Sequence, residues 1–254
     1  MKKIYCCQFD LVWETKTPNF AKARQLLTAA KPEPNSLVLL PELFATGFTM
    51  NVGPLSEKPG GETEHFLASL ARELGVFILG GVLGAGTQGK GRNLSVVFSP
   101  EGQEIARYLK MQPFTPGGES AAYEAGAEPV LFPWQGFSVA PFICYDLRFP
   151  EHFRTATRRG AQLITVISSW PVQRIHHWTA LLRARAIENQ AYVAGVNRCG
   201  TDPKFTYTGQ SLIVGPGGDI LAEAGDGEKV ISAEVDPAAL VAYRKQLPFL
   251  ADMR

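Results

Sequence analysis

The stretch Ser138-Val-Ala-Pro-Phe-Ile-Cys-Tyr-Asp-Leu-Arg-Phe-Pro-Glu151 decides how this chain of 254 residues is interpreted. Its first half is apolar and β-prone, whereas its second half is polar and leads to Pro150, a residue type favoured in the first turn of a helix. Cys144 therefore lies at a predicted strand-to-helix junction, where a nucleophilic side chain projects clear of a sheet. Backbone N–H groups just after it, beginning with that of Tyr145, would be free to stabilise an oxyanion.

The same local positive field would lower the pKa of the Cys144 thiol. A single cysteine is more often a small buried apolar residue, so the nucleophile interpretation needs support from the rest of the chain.

The composition indicates a protein that binds a small molecule. The chain is 45% hydrophobic and has 25 Lys and Arg residues against 24 Asp and Glu residues, a net charge of +1. Because there is no basic stripe or charge run, neither nucleic acid nor an anionic membrane surface is an expected partner. No segment reaches the roughly 18 unbroken apolar residues of a membrane span, and Gln8 and Asp10 interrupt the first apolar run before a signal-peptide core. We therefore predict a cytoplasmic protein.

The cysteine and histidine positions predict neither a disulfide framework nor a metal site. The four cysteines have neither zinc-type nor CxxC spacing: Cys6, Cys7, Cys144 and Cys199. His176 and His177 are adjacent, and adjacent residues on a helix do not face the same ligand. We expect no metal and no cofactor.

Two successive halves of the chain predict the same order of elements. The first half alternates strands and helices and ends in a hairpin: 3–8, 17–30, 36–40, 62–74, 76–81 and 93–108. The second half does the same from a strand pair onward: 130–142, 150–159, 163–168, 174–189, 192–197, 211–214, 219–222 and 230–235. Strand 36–40 is too apolar for a solvated face, which suits a sheet covered on both sides.

These signals predict an α/β fold with two pseudo-repeated halves. No linker-like boundary separates the halves, so we expect one domain over 1–254, built as a four-layer α-β-β-α sandwich. The tail 237–254 predicts a short helix followed by an extended apolar segment at 247–250. We expect this tail to dock against a second subunit.

Two charged residues follow other predicted strands. Glu42 follows strand 36–40 and precedes a mostly apolar collar, a setting that suits a general base. Lys110 is the only cation of the irregular stretch 109–128, a predicted active-site wall, and could stabilise the charge of a tetrahedral intermediate. Parallel strands present their carboxyl ends at one edge of a sheet, so we expect Glu42 and Cys144 to occupy corresponding places and to share a pocket. A thiol with a carboxylate base and a cationic partner can transfer acyl groups without histidine.

These segments resemble the nitrilase superfamily of carbon–nitrogen hydrolases over nearly the whole chain. The resemblance lies in Leu40-Pro-Glu-Leu-Phe-Ala-Thr-Gly-Phe48, Tyr108-Leu-Lys-Met111 and Phe142-Ile-Cys-Tyr-Asp-Leu-Arg-Phe-Pro150. It implies a catalytic set of Glu42, Lys110 and Cys144, and an α-β-β-α sandwich. Glu119, in Gly117-Gly-Glu119, matches the place of a second glutamate that would support the lysine.

Within this superfamily, segments 144–150 and 178–192 resemble the omega-amidase branch. Those enzymes hydrolyse monoamides of dicarboxylic acids, such as 2-oxoglutaramate and 2-oxosuccinamate. The resemblance implies a small-molecule amide substrate, release of ammonia, and a homodimer or higher homo-oligomer. After Lys110 the chain departs from the branch, because Met-Gln-Pro-Phe-Thr-Pro replaces its common His-Leu-Phe pattern.

A substrate with a distal carboxylate needs a cation in the pocket, preferably an arginine. Arg174 and Arg198 lie at segment ends on the predicted cleft edge and are the candidates. Arg148 is interpreted as a structural partner of Asp146 or Glu188. Three aromatic residues either line the pocket or pack in the core or its rim: Phe48, Phe114 and Trp170.

Three other functions are compatible with parts of this pattern. An N-carbamoyl amine or amino acid amidohydrolase would use the same residues and release carbon dioxide with ammonia. A catalytically silent member would bind a ligand or partner through the same fold. A papain-like hydrolase would use His152, His176 or His177 as its base, but the chain lacks a matching local signature.

Overall fold

Two six-stranded β-sheets form the centre of the computed structural model, which describes residues 1–253. The strands are β1 (Lys2–Gln8), β2 (Leu37–Leu39), β3 (Phe77–Ala85), β4 (Gly91–Phe98), β5 (Glu104–Leu109), β6 (Phe132–Trp134), β7 (Phe137–Ile143), β8 (Leu163–Ser168), β9 (Tyr192–Asn197), β10 (Cys199–Thr201), β11 (Thr206–Thr208), β12 (Leu212–Val214), β13 (Ile220–Glu223) and β14 (Lys229–Val235). The α-helices are α1 (Lys16–Ala30), α2 (Val52–Leu55), α3 (Glu62–Leu74), α4 (Glu119–Ala122), α5 (Pro150–Arg158), α6 (Ile175–Asn189) and α7 (Pro237–Gln246).

The predicted pseudo-repeat is present in the strand order of the two sheets. The first sheet has the order β14-β1-β2-β3-β4-β5, and the second has the matching order β6-β7-β8-β9-β12-β13. In each sheet the second, third and fourth strands are parallel to one another, the first and fifth strands are antiparallel to them, and the sixth strand is antiparallel to the fifth. Strand β14 returns the end of the chain to the first sheet, where it pairs with β1.

This order corrects one prediction. Glu42 follows β2, whereas Cys144 follows β7, and β7 corresponds to β1 rather than to β2. The two residues therefore do not occupy corresponding places in the halves. The counterpart of Glu42 is Ser169, which follows β8.

Side chains on alternate positions of the strands explain why the strands are apolar on both faces. On β1, Ile4 and Cys6 pack in the core between the sheets, whereas Tyr5 and Cys7 pack in a second core under the outer helices. Residues of α1 and α3 complete that second core: Phe20, Leu27, Phe66 and Leu70. Residues of α5 and α6 cover the second sheet: Phe153, Trp178 and Leu182. The result is the predicted four-layer α-β-β-α arrangement.

Several local elements differ from their predicted form. The stretch 109–128, predicted to be irregular, contains α4 and a 3₁₀ turn at Thr115–Gly117. The hairpin formed by β10 and β11 was not predicted. The tail is not extended at 247–250: it turns into a 3₁₀ helix at Phe249–Asp252, after Pro248, which has no N–H to continue α7. Arg254, the last residue of the predicted tail, lies outside the described residues. Across 1–253, none of the helices combines the length and the apolar character needed to cross a bilayer.

Candidate active site

One cavity lies where the carboxyl ends of several strands meet. Four residues that follow strands line this cavity: Glu42 after β2, Lys110 after β5, Cys144 after β7 and Ser169 after β8. Its empty space, including the part open to solvent, is about 420 Å³. The remaining lining residues are mainly aromatic or cationic: Phe48, Phe114, Tyr145, Arg148, Trp170, Pro171, Arg174, Phe205 and Tyr207.

Cys144 has a strained backbone at the junction that the sequence predicted. Strand β7 ends at Ile143, and Cys144 begins a 3₁₀ helix, Cys144–Arg148, with φ of +46°. Left-handed backbone at a non-glycine residue costs about 1–3 kcal/mol and persists only where the surroundings impose it. With this backbone conformation, Cys144 lines the cavity.

The predicted lowering of the Cys144 pKa is wrong. Burial, followed by the negative charge of Glu42, raises the pKa of the thiol to about 12. Lys110 and the neighbouring Ser168 and Ser169 oppose this increase without outweighing it. At neutral pH the resting side chain is therefore a thiol, and its reaction as a nucleophile requires a base that removes the proton.

Glu42 is fully buried and accepts hydrogen bonds on both of its carboxylate oxygens. Oε1 accepts from Nζ of Lys110 at 2.9 Å and from Nδ2 of Asn93 at 2.7 Å. Oε2 accepts from the backbone N–H of Ser169 at 2.9 Å. Donors from both sheets therefore hold the carboxylate in one orientation.

Lys110 lies between two buried carboxylates. Its Nζ is 2.8 Å from Oε2 of Glu119 and 2.9 Å from Oε1 of Glu42, and all three side chains are at most 1% exposed. Burial alone lowers the pKa of Lys110, but the charges of Glu119 and Glu42 raise it well above its ordinary value. Lys110 is therefore a cation throughout the physiological pH range. Asn93 also donates to Glu119, at 2.9 Å, which closes the network.

Asp146 connects the lysine segment to the cysteine segment. Its carboxylate accepts from the backbone N–H of Ile143 at 2.9 Å, from that of Gln112 at 2.8 Å, and from the hydroxyl of Tyr108 at 2.7 Å. Burial raises the pKa of Asp146 to about 6, against the opposing effects of Lys110 and these donors. The turn that carries Cys144 and the loop that carries Lys110 are thus joined through one carboxylate.

The arginine predictions are corrected by the structure. Arg198 is fully buried, pairs with Asp10 at 2.9 Å and stacks against Tyr207, so it does not line the cavity. Arg174 lies in the cavity wall, against the ring of Phe114. Arg148 also lines the cavity, with its guanidinium 4.6 Å from the ring centre of Trp170.

Arg148 is therefore not the structural partner of Asp146 or Glu188. Glu188 instead pairs with Arg185 at 2.9 Å. Asp146 has its three acceptor contacts with backbone and tyrosine groups, so neither carboxylate needs Arg148.

Several residues of the site were not predicted from the sequence. Asn93 is a buried polar residue of β4, but that strand contains other polar residues as well, so the position gave no distinctive signal. Ser169 acts through its backbone N–H, which no side-chain pattern reveals. Phe205 and Tyr207 belong to the unpredicted β10–β11 hairpin. The predicted aromatic residues Phe48, Phe114 and Trp170 all reach the cavity wall. Within residues 1–253, no three His, Cys, Asp or Glu side chains are grouped in a way that suits a metal ion.

The chain has two β-sheets between outer helices, and a thiol, an amine and a carboxylate line one cavity, with a second carboxylate against the amine. These features define the α-β-β-α class of cysteine-containing hydrolases. The family model for carbon-nitrogen hydrolase matches residues 3–245, and the chain belongs to that family. It is therefore an enzyme that hydrolyses carbon–nitrogen bonds.

Named relatives and a solved structure are similar over the whole chain. A 2-oxoglutaramate amidase of Bacillus subtilis (strain 168) is 35% identical, covering 99% of this chain and 97% of the relative. The omega-amidase YafV of Escherichia coli (strain K12) is 34% identical, covering 98% and 96%. The crystal structure of XC1258 from Xanthomonas campestris, a CN-hydrolase superfamily protein with an arsenic adduct in its active site, has a TM-score of 0.92 and 32% identity, covering 99% and 96%.

Proposed function

We propose that the protein is an omega-amidase, which hydrolyses the terminal amide of a dicarboxylic acid monoamide such as 2-oxoglutaramate or 2-oxosuccinamate and releases ammonia. The observation that carries the proposal is the pair Arg148 and Arg174 in the same cavity as Cys144. Among residues 1–253 neither arginine forms an ion pair with a carboxylate. Two unpaired cations beside a reactive thiol suit a substrate that has an anionic group at one end and an amide at the other. The relatives named above support the same substrate class.

The chemistry begins with proton transfer from Cys144 to Glu42. Because the thiol pKa is about 12, the base must remove the proton as sulfur attacks the amide carbonyl carbon. The carbonyl π electrons move to oxygen, and the resulting oxyanion is stabilised by the Lys110 ammonium and the Tyr145 N–H. Glu119 accepts a hydrogen bond from the ammonium and holds it in position, and Asn93 donates to Glu119.

The tetrahedral intermediate then collapses and its carbon–nitrogen bond breaks. Glu42 returns the proton to nitrogen, so ammonia leaves and a thioester remains on Cys144. Water attacks the thioester while Glu42 accepts its proton, the carbon–sulfur bond breaks, and the thiol regains a proton. The net reaction is amide plus water to carboxylate plus ammonium, with no change in oxidation state.

An ammonia-release assay over a substrate panel tests this proposal. The panel contains 2-oxoglutaramate, succinamate, a neutral aliphatic amide, a nitrile and an N-carbamoyl amino acid. We expect the largest kcat/KM for the dicarboxylic acid monoamides, and almost no turnover of any compound by Cys144→Ala. Greatest turnover of the N-carbamoyl compound, with carbon dioxide among the products, would favour the alternative hydrolase. Substantial ammonia release by Cys144→Ala would contradict the mechanism.

We also propose that the protein forms a homodimer or higher oligomer and works in the cytoplasm. Exposed apolar residues of the tail support a subunit interface there: Val241 is 57% and Phe249 is 61% exposed.

The cytoplasmic location is supported by the four cysteines, which form no disulfides and so suit a reducing compartment. Light scattering checks the first proposal, since a monomer at micromolar concentration would contradict it, and cell fractionation checks the second.

A further inference from the structure

The side chain of His177 contacts Arg148 at the edge of the cavity. His177 is in the first turn of α6, and its Nδ1 is 3.2 Å from Nη2 of Arg148. A guanidinium has only donors, so the ring nitrogen must accept this hydrogen bond and the ring proton must be on Nε2. The contact therefore selects one neutral tautomer of His177.

Charges around His177 keep it in that neutral form. Burial, followed by the charges of His176, Arg148 and Arg174, lowers the pKa of His177. His176 precedes it on α6, Arg174 is on the turn before that helix, and Arg148 is on the turn that begins with Cys144. No carboxylate is among these neighbours, so nothing in this group favours a protonated ring.

The guanidinium of Arg148 has contacts with two side chains and also lines the cavity. It stacks over the Trp170 ring, and its Nη2 donates to His177. The Trp170 ring is itself fixed, because its Nε1 donates to the carbonyl of Arg174 at 2.8 Å. Burial and the nearby charge of Arg174 lower the pKa of Arg148, which is the electrostatic condition of a cation that lacks an anionic partner.

We infer that His177 is a positioning residue that directs the guanidinium of Arg148 into the cavity and so determines the preference of the enzyme for amides that carry a distal carboxylate. The inference rests on the proposed function. A flexible arginine loses less conformational freedom on binding when its direction is already set, so a neutral acceptor behind the guanidinium improves affinity for an anion. His177 does not touch the reacting atoms, and its removal should change substrate binding rather than chemistry.

Steady-state kinetics of His177→Ala test this inference. We expect KM for 2-oxoglutaramate to rise by about tenfold, with kcat changed by less than about twofold. The inhibition constant of glutarate, a dicarboxylate without an amide, should rise by the same factor. KM and kcat for pentanamide, a neutral amide, should stay at their wild-type values.

Two further variants separate positioning from a structural effect. His177→Asn retains a short polar side chain whose oxygen can accept from Arg148, and should restore KM to within about twofold of wild type. His65→Ala, at an exposed histidine of α3 outside the cavity, is the control and should match wild type with both amides. Equal effects of His177→Ala on 2-oxoglutaramate and pentanamide, no effect on either, or no rescue by asparagine would each overturn the inference.

Failure of the proposed function gives a different result. A wild-type enzyme that does not prefer 2-oxoglutaramate to pentanamide, and that glutarate does not inhibit, would overturn both proposals together. A wild-type preference that His177→Ala retains in full would overturn the role of His177 alone.

Discussion

The backbone N–H of Ser169 donates to Oε2 of Glu42 over 2.9 Å, and this bond joins the carboxyl edges of the two sheets. Glu42 follows β2 and Ser169 follows β8, which are corresponding strands of the pseudo-repeat. The other carboxylate oxygen is held by Lys110 and Asn93, from the first sheet. Because the first sheet supplies the carboxylate and the second sheet supplies both Ser169 and Cys144, the packing of one sheet on the other determines the geometry of the site.

Glu42→Gln should abolish most activity without unfolding the protein. Glutamine cannot accept the thiol proton, and its NH₂ group must face either Ser169 or the Lys110 and Asn93 donors. We expect kcat to fall by about 10²–10⁴-fold, the usual contribution of a general base, in the ammonia-release assay. Glu62→Gln, at a surface position, is the matched control and should retain wild-type activity. A Glu42→Gln enzyme within about tenfold of wild type would argue against the base assignment.

Gly81→Ala should disturb the site from the neighbouring strand. A Cβ at Gly81 would lie 2.2 Å from the backbone nitrogen of Leu43 and 2.8 Å from Cα of Glu42. Backbone must move to relieve such contacts, and a displacement of about 1 Å at a catalytic group typically costs about a hundredfold in rate. We expect a comparable loss of kcat, and a loss of about 1–3 kcal/mol in the free energy of unfolding.

Gly53→Ala provides the control for Gly81→Ala. A Cβ at Gly53 meets no atom within 4 Å, so both activity and stability should be those of wild type. Equal kinetics of the two variants would show that the close approach of β3 does not position Glu42.

Asp146→Asn should change how stability depends on pH. The pKa of Asp146 is raised to about 6 in the folded protein from an ordinary value of 3.8, so the folded state holds this proton more tightly than the unfolded chain. The stabilisation that the protonated carboxyl contributes is therefore fully present below about pH 4 and is lost as pH rises through about 6. Between pH 3.5 and 7, the free energy of unfolding of wild type should fall by about 3 kcal/mol relative to that of Asp146→Asn.

Urea denaturation followed by circular dichroism at several pH values measures this difference. Asp252→Asn, at an exposed residue, should show no such pH-dependent difference from wild type. A constant difference between wild type and Asp146→Asn over the range would contradict the raised pKa.

Alkylation of Cys144 should report its raised pKa. With a pKa of about 12, the thiolate fraction grows tenfold for each pH unit, so the rate of reaction with iodoacetamide should rise by about tenfold per unit between pH 8 and 10. Mass spectrometry of the modified peptide measures the rate, and Cys144→Ala provides the background from the other three cysteines. A rate that levels off below pH 9 would mean that the thiol pKa is much lower.

The sequence predicted a helix or strand well where residues at its two ends mark where it begins and ends. Helix α3 has the predicted bounds 62–74 because its amphipathic pattern ends at Gly75, whose φ of +64° suits a helix C-terminus. The strand-to-turn position of Cys144 was predicted for the same reason. The β10–β11 hairpin was not, because its strands are only three residues long and pair with each other outside the main sheets.

Charge environments could not be predicted from nearby residues. The turn at Cys144 suggested a lowered thiol pKa, but burial and Glu42, which is distant in the chain, raise it. Arg148 was assigned to Asp146 or Glu188, whereas the fold places it against Trp170 and His177. Arg198 was assigned to the cleft edge because it follows a strand, whereas its guanidinium pairs with Asp10 away from the cavity.

The sequence by itself determined the fold class, the family and the identity of the Glu, Lys and Cys segments, because periodicity and short motifs depend on residues that are close in the chain. Only the tertiary structure decided which groups meet: Ser169 with Glu42, Asp146 with the lysine loop, and Arg148 with the cavity. The physical reason is that hydrogen bonds and electrostatic interactions act over a few ångströms, and the distance between two side chains from different sheets is determined only when the sheets pack.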